Sequence, residues 1–220
     1  IRERGRSVEA GVAPTGAVAW DRNAYCRGGG LGIGRSGSST QLEPIEFLPE
    51  GRLEGFRTPP AGGVTSDGTS YATCATVRDG PPYCWGNNNM GKLGLRDQED
   101  RFFPESVLIS QAAPTRSVAL SIWHACAVSG SEENTTITTC WGMSEAGVLG
   151  VGLAGIDPTQ TCPQDPGGRM VTCLLQPQMV LTGPESPLLG LDRVSLGQSS
   201  GCGLQKSTGH VYCWGKADVA

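Results

Sequence analysis

The feature that most constrains this 220-residue chain is a block that occurs twice in identical register. Cys84-Trp85-Gly86 is followed by Gly91 and then Leu93-Gly94, and Cys140-Trp141-Gly142 by Gly147 and then Leu149-Gly150. Counted from each cysteine, glycine stands at +2, +7 and +10 and leucine at +9. A third copy opens at Tyr212-Cys213-Trp214-Gly215, and a degenerate one at Tyr25-Cys26-Arg27-Gly28, where Leu31-Gly32 arrives four residues early. Self-similarity at a fixed period marks a repeat architecture, in which each unit buries its apolar faces only against its neighbours.

The flanks repeat as well. Downstream, a proline precedes an apolar residue by three: Pro44 with Phe47, Pro104 with Val107, Pro177 with Val180. Upstream, an alternating run ends in a second cysteine, Val118 to Cys126 paralleling Val194 to Cys202, with Ser70 to Cys74 a looser version. Equivalent cysteines are 58, 56 and 73 residues apart, the length of one propeller blade of four short strands and tight turns. With 33 glycines, 15 prolines and only 17% charged residues, the composition suits many short strands joined by turns.

The combined pattern, His124-x-Cys126-Ala127 followed by the tryptophan–glycine block and the proline–valine pair, resembles the repeat of the regulator of chromosome condensation family. The resemblance is strong over residues 64–150 and 194–215 and weak over 1–60. It implies an all-β chain of four-stranded antiparallel β-propeller blades, part of a seven-bladed ring. The cysteine-containing version is similar to secreted bacterial members and to the extracellular domains of crinkly-type plant receptor kinases. The expected organisation is one repeat array: a degenerate blade at 1–62, a blade at 63–113, a blade at 114–187 with a disulfide-closed insertion at 151–179, and an incomplete blade at 188–220. Seven blades would need about 400 residues, so the chain is expected to form an arc that more polypeptide, self-association or another chain completes.

Nine cysteines occur without a C-x-x-C pair, and only His124 and His210 could complete a zinc set. A disulfide framework in an oxidising, secreted or cell-surface compartment is therefore expected, with no metal and no cofactor. Residues equidistant from a hairpin's turn face each other, which pairs Cys74 with Cys84 about Asp79 and Cys202 with Cys213 about Ser207-Thr208-Gly209. It likewise pairs Cys126 with Cys140 about Glu133, and Cys162 with Cys173 about Pro166-Gly167-Gly168. Cys26 is left over, since its partner position, in Val12 to Gly16, holds no cysteine; it is either a lone thiol or paired outside this sequence.

Trp85, Trp141, Trp214, Leu93 and Leu149 read as packing between blades, and Gly86, Gly91, Gly94, Gly142, Gly147, Gly150 and Gly215 as positions needing positive φ. Asn134-Thr135-Thr136 is an N-glycosylation sequon at the tip of the Cys126–Cys140 hairpin.

Several function classes are disfavoured. A net charge of −4 and pI near 5.2, with only Arg2, Arg4 and Arg6 clustered, give no basic face for nucleic acid. No apolar run reaches the ~20 residues of a membrane span. No catalytic motif is present, and Ala72 and Ser200 stand where another copy has His124, so no shared catalytic role is expected. The acidic run Asp97 to Asp100 lacks the spacing of a calcium loop. The expectation is a non-catalytic extracellular recognition or scaffold module whose propeller-face loops bind protein or glycan, with a structural subunit of an extracellular assembly as a variant. Alternatives are a receptor ectodomain or a secreted enzyme inhibitor of the propeller type. Guanine-nucleotide exchange needs a reducing compartment and an acidic partner-binding face that the sequence does not locate.

Overall fold

The computed structural model describes residues 72–77, 79–109, 114–132, 134–163 and 168–216, together with the backbone of five strands before residue 58. The first sheet runs β1 (Ser7–Ala10), β2 (Thr15–Val18), β3 (Ala24–Gly29), β4 (Ser38–Pro44), and the second β5 (Leu53–Arg57), β6 (Ala72–Val77), β7 (Tyr83–Gly86), β8 (Arg101–Ser106). The third contains β9 (Thr115–Leu120), β10 (His124–Ser129), β11 (Ile137–Met143), β12 (Thr161–Pro163) and β13 (Met170–Met179), ordered β12-β13-β11-β10-β9. A short hairpin, β14 (Leu181–Gly183) and β15 (Ser186–Pro187), leads to the three-stranded β16 (Arg193–Leu196), β17 (Ser200–Gln205), β18 (His210–Gly215). All pairings between these strands are antiparallel.

The blades stack face to face, with β9 packed against both β6 and β16. Every residue of β6 and β10 is buried, as befits sheets covered on both faces. β18 keeps the alternation of a sheet covered on one face.

Two expected boundaries change. β5 pairs with β6 (Phe56 opposite Ala75), so the second blade starts at Leu53 rather than after residue 62. The weak pattern there left only the stronger downstream repeat to set the limit. The insertion expected at 151–179 contains the third blade's own fourth strand. β13 pairs with β11 as β8 pairs with β7, each with a register shift next to the motif glycine. Only the stretch ending in the β12–β13 hairpin is extra. Among the described residues, no helix is long and apolar enough to cross a membrane.

The loop leaving the motif tryptophan is a one-turn 3-10 segment in both full copies, Asn89–Gly91 and Glu145–Gly147. Its middle residue is left-handed although it is not glycine: Met90 at φ 65° and Ala146 at φ 55°. Met90 is buried and fixed by packing, whereas Ala146 is exposed. An L-residue in this conformation costs about 1–2 kcal/mol, against about 0.5–1 kcal/mol of extra chain entropy lost by glycine. Ala146→Gly is therefore expected to stabilise the fold by about 0.5–1 kcal/mol, read from the urea midpoint at unchanged slope.

Candidate functional site

The positions that repeat converge on the interfaces between blades. In β10 and β11, Cys126 lies directly opposite Cys140 and Ala125 opposite Trp141, so side-chain alternation sends cystine and indole to opposite faces. Trp141, Val118, Leu120, Ala125 and Ala127 of the third blade form one buried cluster with Cys74, Cys84, Leu93 and Val107 of the second. Cys126, Cys140, Val148 and Leu149 form the equivalent cluster with Leu191 and Val194 of the fourth blade and the partly buried Trp214. Each blade thus offers its cystine face and its leucine to the tryptophan face of the next.

The motif glycines make that contact close. A methyl group on Gly94 would lie 2.8 Å from Nε1 of Trp141, and one on Gly150 2.9 Å from Trp214. Both glycines are also left-handed, at φ 72° and 67°. The Trp141 indole N–H donates to the Lys92 carbonyl at 2.7 Å, which joins the block of one blade to the indole of the next. Trp85 and Trp141 are fully buried; Trp214 is only partly so. Gly142, at φ 99°, faces His124 across the ladder, and a methyl there would meet the Trp123 carbonyl at 2.5 Å. Gly86 and Gly215 repeat this at φ 97° and 104°, opposite Ala72 and Ser200. Gly91 and Gly147, at φ 67° and 71°, close the 3-10 turns.

Cys74–Cys84, Cys126–Cys140 and Cys202–Cys213 join directly opposed residues at a Cα–Cα distance of 4.1 Å. That is the close approach of a non-hydrogen-bonded antiparallel pair. Cys162–Cys173 differs. Cys162 sits opposite Val171, and its cystine runs diagonally with Cα atoms 5.9 Å apart. The pairing expected from the turn is present, but the two residues are not directly opposed, since β13 also pairs with β11, where Cys173 lies opposite Met143. This fourth cystine belongs to a satellite core with Met90, Met143 and Val171, edged by Trp123 and Leu175. Leu175 accepts a backbone bond from Arg96 at 2.8 Å, and its side chain would collide with any methyl on Gly91. The extra hairpin therefore clamps the third blade onto the second blade's loop, a role that cysteine spacing alone did not reveal.

Gly16 lies opposite Cys26 in the β2–β3 ladder, the register position that holds the partner cysteine in the other blades. The Cys26 side chain lies outside the described residues. Asn134 is exposed on the β10–β11 tip.

His124 is buried at the β10 start, and neither ring nitrogen has a hydrogen-bond partner. Burial pulls its imidazole down from the ordinary 6.5 to about 4. Because the folded value is the lower one, protons bind the unfolded chain first. The stability that neutral His124 confers is whole above about pH 6.5 and is lost as pH falls toward 4. The full loss is about 3 kcal/mol. Unfolding free energy measured from pH 7 to 4 is expected to fall more steeply in the parent than in His124→Gln, and parallel curves would contradict it.

The acidic run is committed to its own loop. Burial alone would raise the Asp97 carboxyl, but the Arg101 guanidinium at 2.6 Å and the Glu99 and Asn88 N–H groups hold it below the usual range. Asp100 accepts from the Asn88 backbone at 2.8 Å and the Asn87 amide at 3.2 Å. These donors make both carboxylates braces of the loop between β7 and β8. Among the described residues no group of three or more potential metal ligands comes together.

Residues 79–128 match the regulator of chromosome condensation (RCC1) repeat. The structure superposes on yeast RCC1 (Prp20), solved bound to Kap60, with TM-score 0.70 at 15% identity, covering 98% of this chain and 44% of that one. It superposes on human WBSCR16 with TM-score 0.70 at 18% identity, covering 98% and 48%. The fold is that of an RCC1-like β-propeller. In sequence, the RCC1-like chain is 32% identical over 134 residues to the ultraviolet-B receptor UVR8 of Arabidopsis thaliana, covering 61% of this chain and 27% of that protein. It is 30% identical over 151 residues to the human E3 ubiquitin-protein ligase HERC2, covering 69% of this chain and 3% of that protein. The RCC1-like chain thus spans about half of the solved neighbours and 27% or less of these sequence relatives.

Proposed function

We propose that this RCC1-like chain is a non-catalytic recognition module of an oxidising, extracellular compartment and that it binds a protein partner. The observation that carries the reading is the division between what repeats and what does not. The repeated cysteines, tryptophans, leucines and glycines are turned toward the neighbouring blades. The exposed apolar side chains instead differ from blade to blade. Phe102 (50% exposed), Phe103 (37%) and Leu108 (63%) lie on or beside the outer strand of the second blade, and Val211 (63%) on the fourth. A constant frame carrying variable exposed apolar groups is suited to protein contact. The cystines support the compartment, since three of the four pairs are fully buried and a reducing cytosol would disfavour them. A structural neighbour, yeast Prp20, also points to protein partners: it is solved with Kap60 and described by its binding to Gsp1p and histones.

The test is capture from a secreted and cell-surface protein fraction on the immobilised chain, run beside a Phe102→Ser, Phe103→Ser double variant and a glycan array. The expected result is a protein retained by the parent and bound at least tenfold more weakly by the variant. Binding on the glycan array with no retained protein would overturn the reading.

A further inference from the structure

We propose that Asn134 is an N-glycan acceptor that can be modified only before the fourth blade docks, because the fold consumes the hydroxyl that defines the site. The inference rests on the extracellular reading. The sequon requires a serine or threonine two residues after the asparagine, so the transferring enzyme has to read that hydroxyl. Asn134 and Thr135 are exposed, but Thr136 is completely buried. Its Oγ1 donates to the Leu191 carbonyl at 2.6 Å, across 55 residues of sequence. Its own carbonyl accepts the Gly190 N–H at 3.0 Å, and Ile137 bridges to Leu189. Leu191 is itself fully buried and packs on Gly203 of the fourth blade. Among the described residues, the segment that covers the Thr136 hydroxyl is thus the one that packs on the fourth blade.

In the transfer, a bond forms between Asn134 Nδ2 and the anomeric carbon of a lipid-pyrophosphate-linked oligosaccharide. The bond from that carbon to the phosphate oxygen breaks, and the lipid pyrophosphate leaves as the amide gives up a proton. Synthesis at about 5–20 residues per second separates Thr136 from Leu191 by about 3–11 s, and the site is open for at least that interval. Once the fold closes, the exposed Asn134 carries the glycan outward while Thr136 is locked beneath it.

The unglycosylated full chain is offered to a purified oligosaccharyltransferase with a synthetic lipid-linked oligosaccharide, in two forms: oxidised and folded, or reduced and held unfolded. Attachment is read by intact mass, with Asn134→Gln as the site control. The unfolded form is expected to be modified at least tenfold faster, and only when Asn134 is present. Equal rates in the two forms, or no modification of either, would overturn the proposal. Because the donor and enzyme are supplied, this outcome does not depend on the compartment. A secreted chain recovered without cystines would instead contradict the extracellular reading.

Discussion

Trp141→Ala is expected to lower the unfolding free energy by about 3–5 kcal/mol, the range for deleting a large buried aromatic from a packed core. The indole is fully enclosed between the second and third blades, and its N–H satisfies the Lys92 carbonyl. Truncation therefore opens a cavity and also strips a buried acceptor of its donor. Trp214→Ala is the internal comparison. That indole occupies the same repeat position but is only partly buried, and its Nε1 has no hydrogen-bond partner. Its loss is expected to cost about half as much. Urea unfolding followed by near-ultraviolet dichroism separates the two, and equal losses would show that the indole contacts do not carry the blade interface.

Removing the cystines gives the second large effect. The Cys126–Cys140 bridge closes a sequence separation of 14 residues and Cys202–Cys213 one of 11, so loop entropy assigns each about 3 kcal/mol. Their surroundings differ. Cys126 and Cys140 are fully buried beside Val148, Leu149 and Leu191, whereas Cys213 is exposed and Cys202 half-buried. Replacing both members of the buried pair by alanine adds a packing loss to the entropic one, for about 3–5 kcal/mol in total. The exposed pair should cost about 2–3 kcal/mol. Paired double variants compared in urea check the ranking, which a purely entropic role would erase.

The repeat made the architecture legible because one spacing must satisfy every interface at once. A tryptophan that packs on the glycine ten residues after the preceding copy's cysteine can do so only if each copy keeps that distance, as Gly94 and Gly150 do. Turn symmetry paired all four cystines for an equally local reason. It misplaced the register of Cys162 because β13 serves two neighbours, and a sequence does not announce which partner sets the ladder. The left-handed Met90 and Ala146 were also hidden, since neither residue signals that conformation. Only their shared place, six residues after each motif cysteine, could have raised the question. The second role of Thr136 was invisible for a further reason. A sequon is a three-residue pattern, while the Leu191 carbonyl that takes its hydroxyl comes from the approach to the next blade.

Peptide mapping of the oxidised, non-reduced chain by mass spectrometry tests most directly the claim that each cystine closes a hairpin inside its own blade. Four linkages are expected, Cys74–Cys84, Cys126–Cys140, Cys162–Cys173 and Cys202–Cys213, with Cys26 joined to none of these eight. A linkage between blades, such as Cys84 with Cys126, or a bridge from Cys26 to any of the eight, would contradict it.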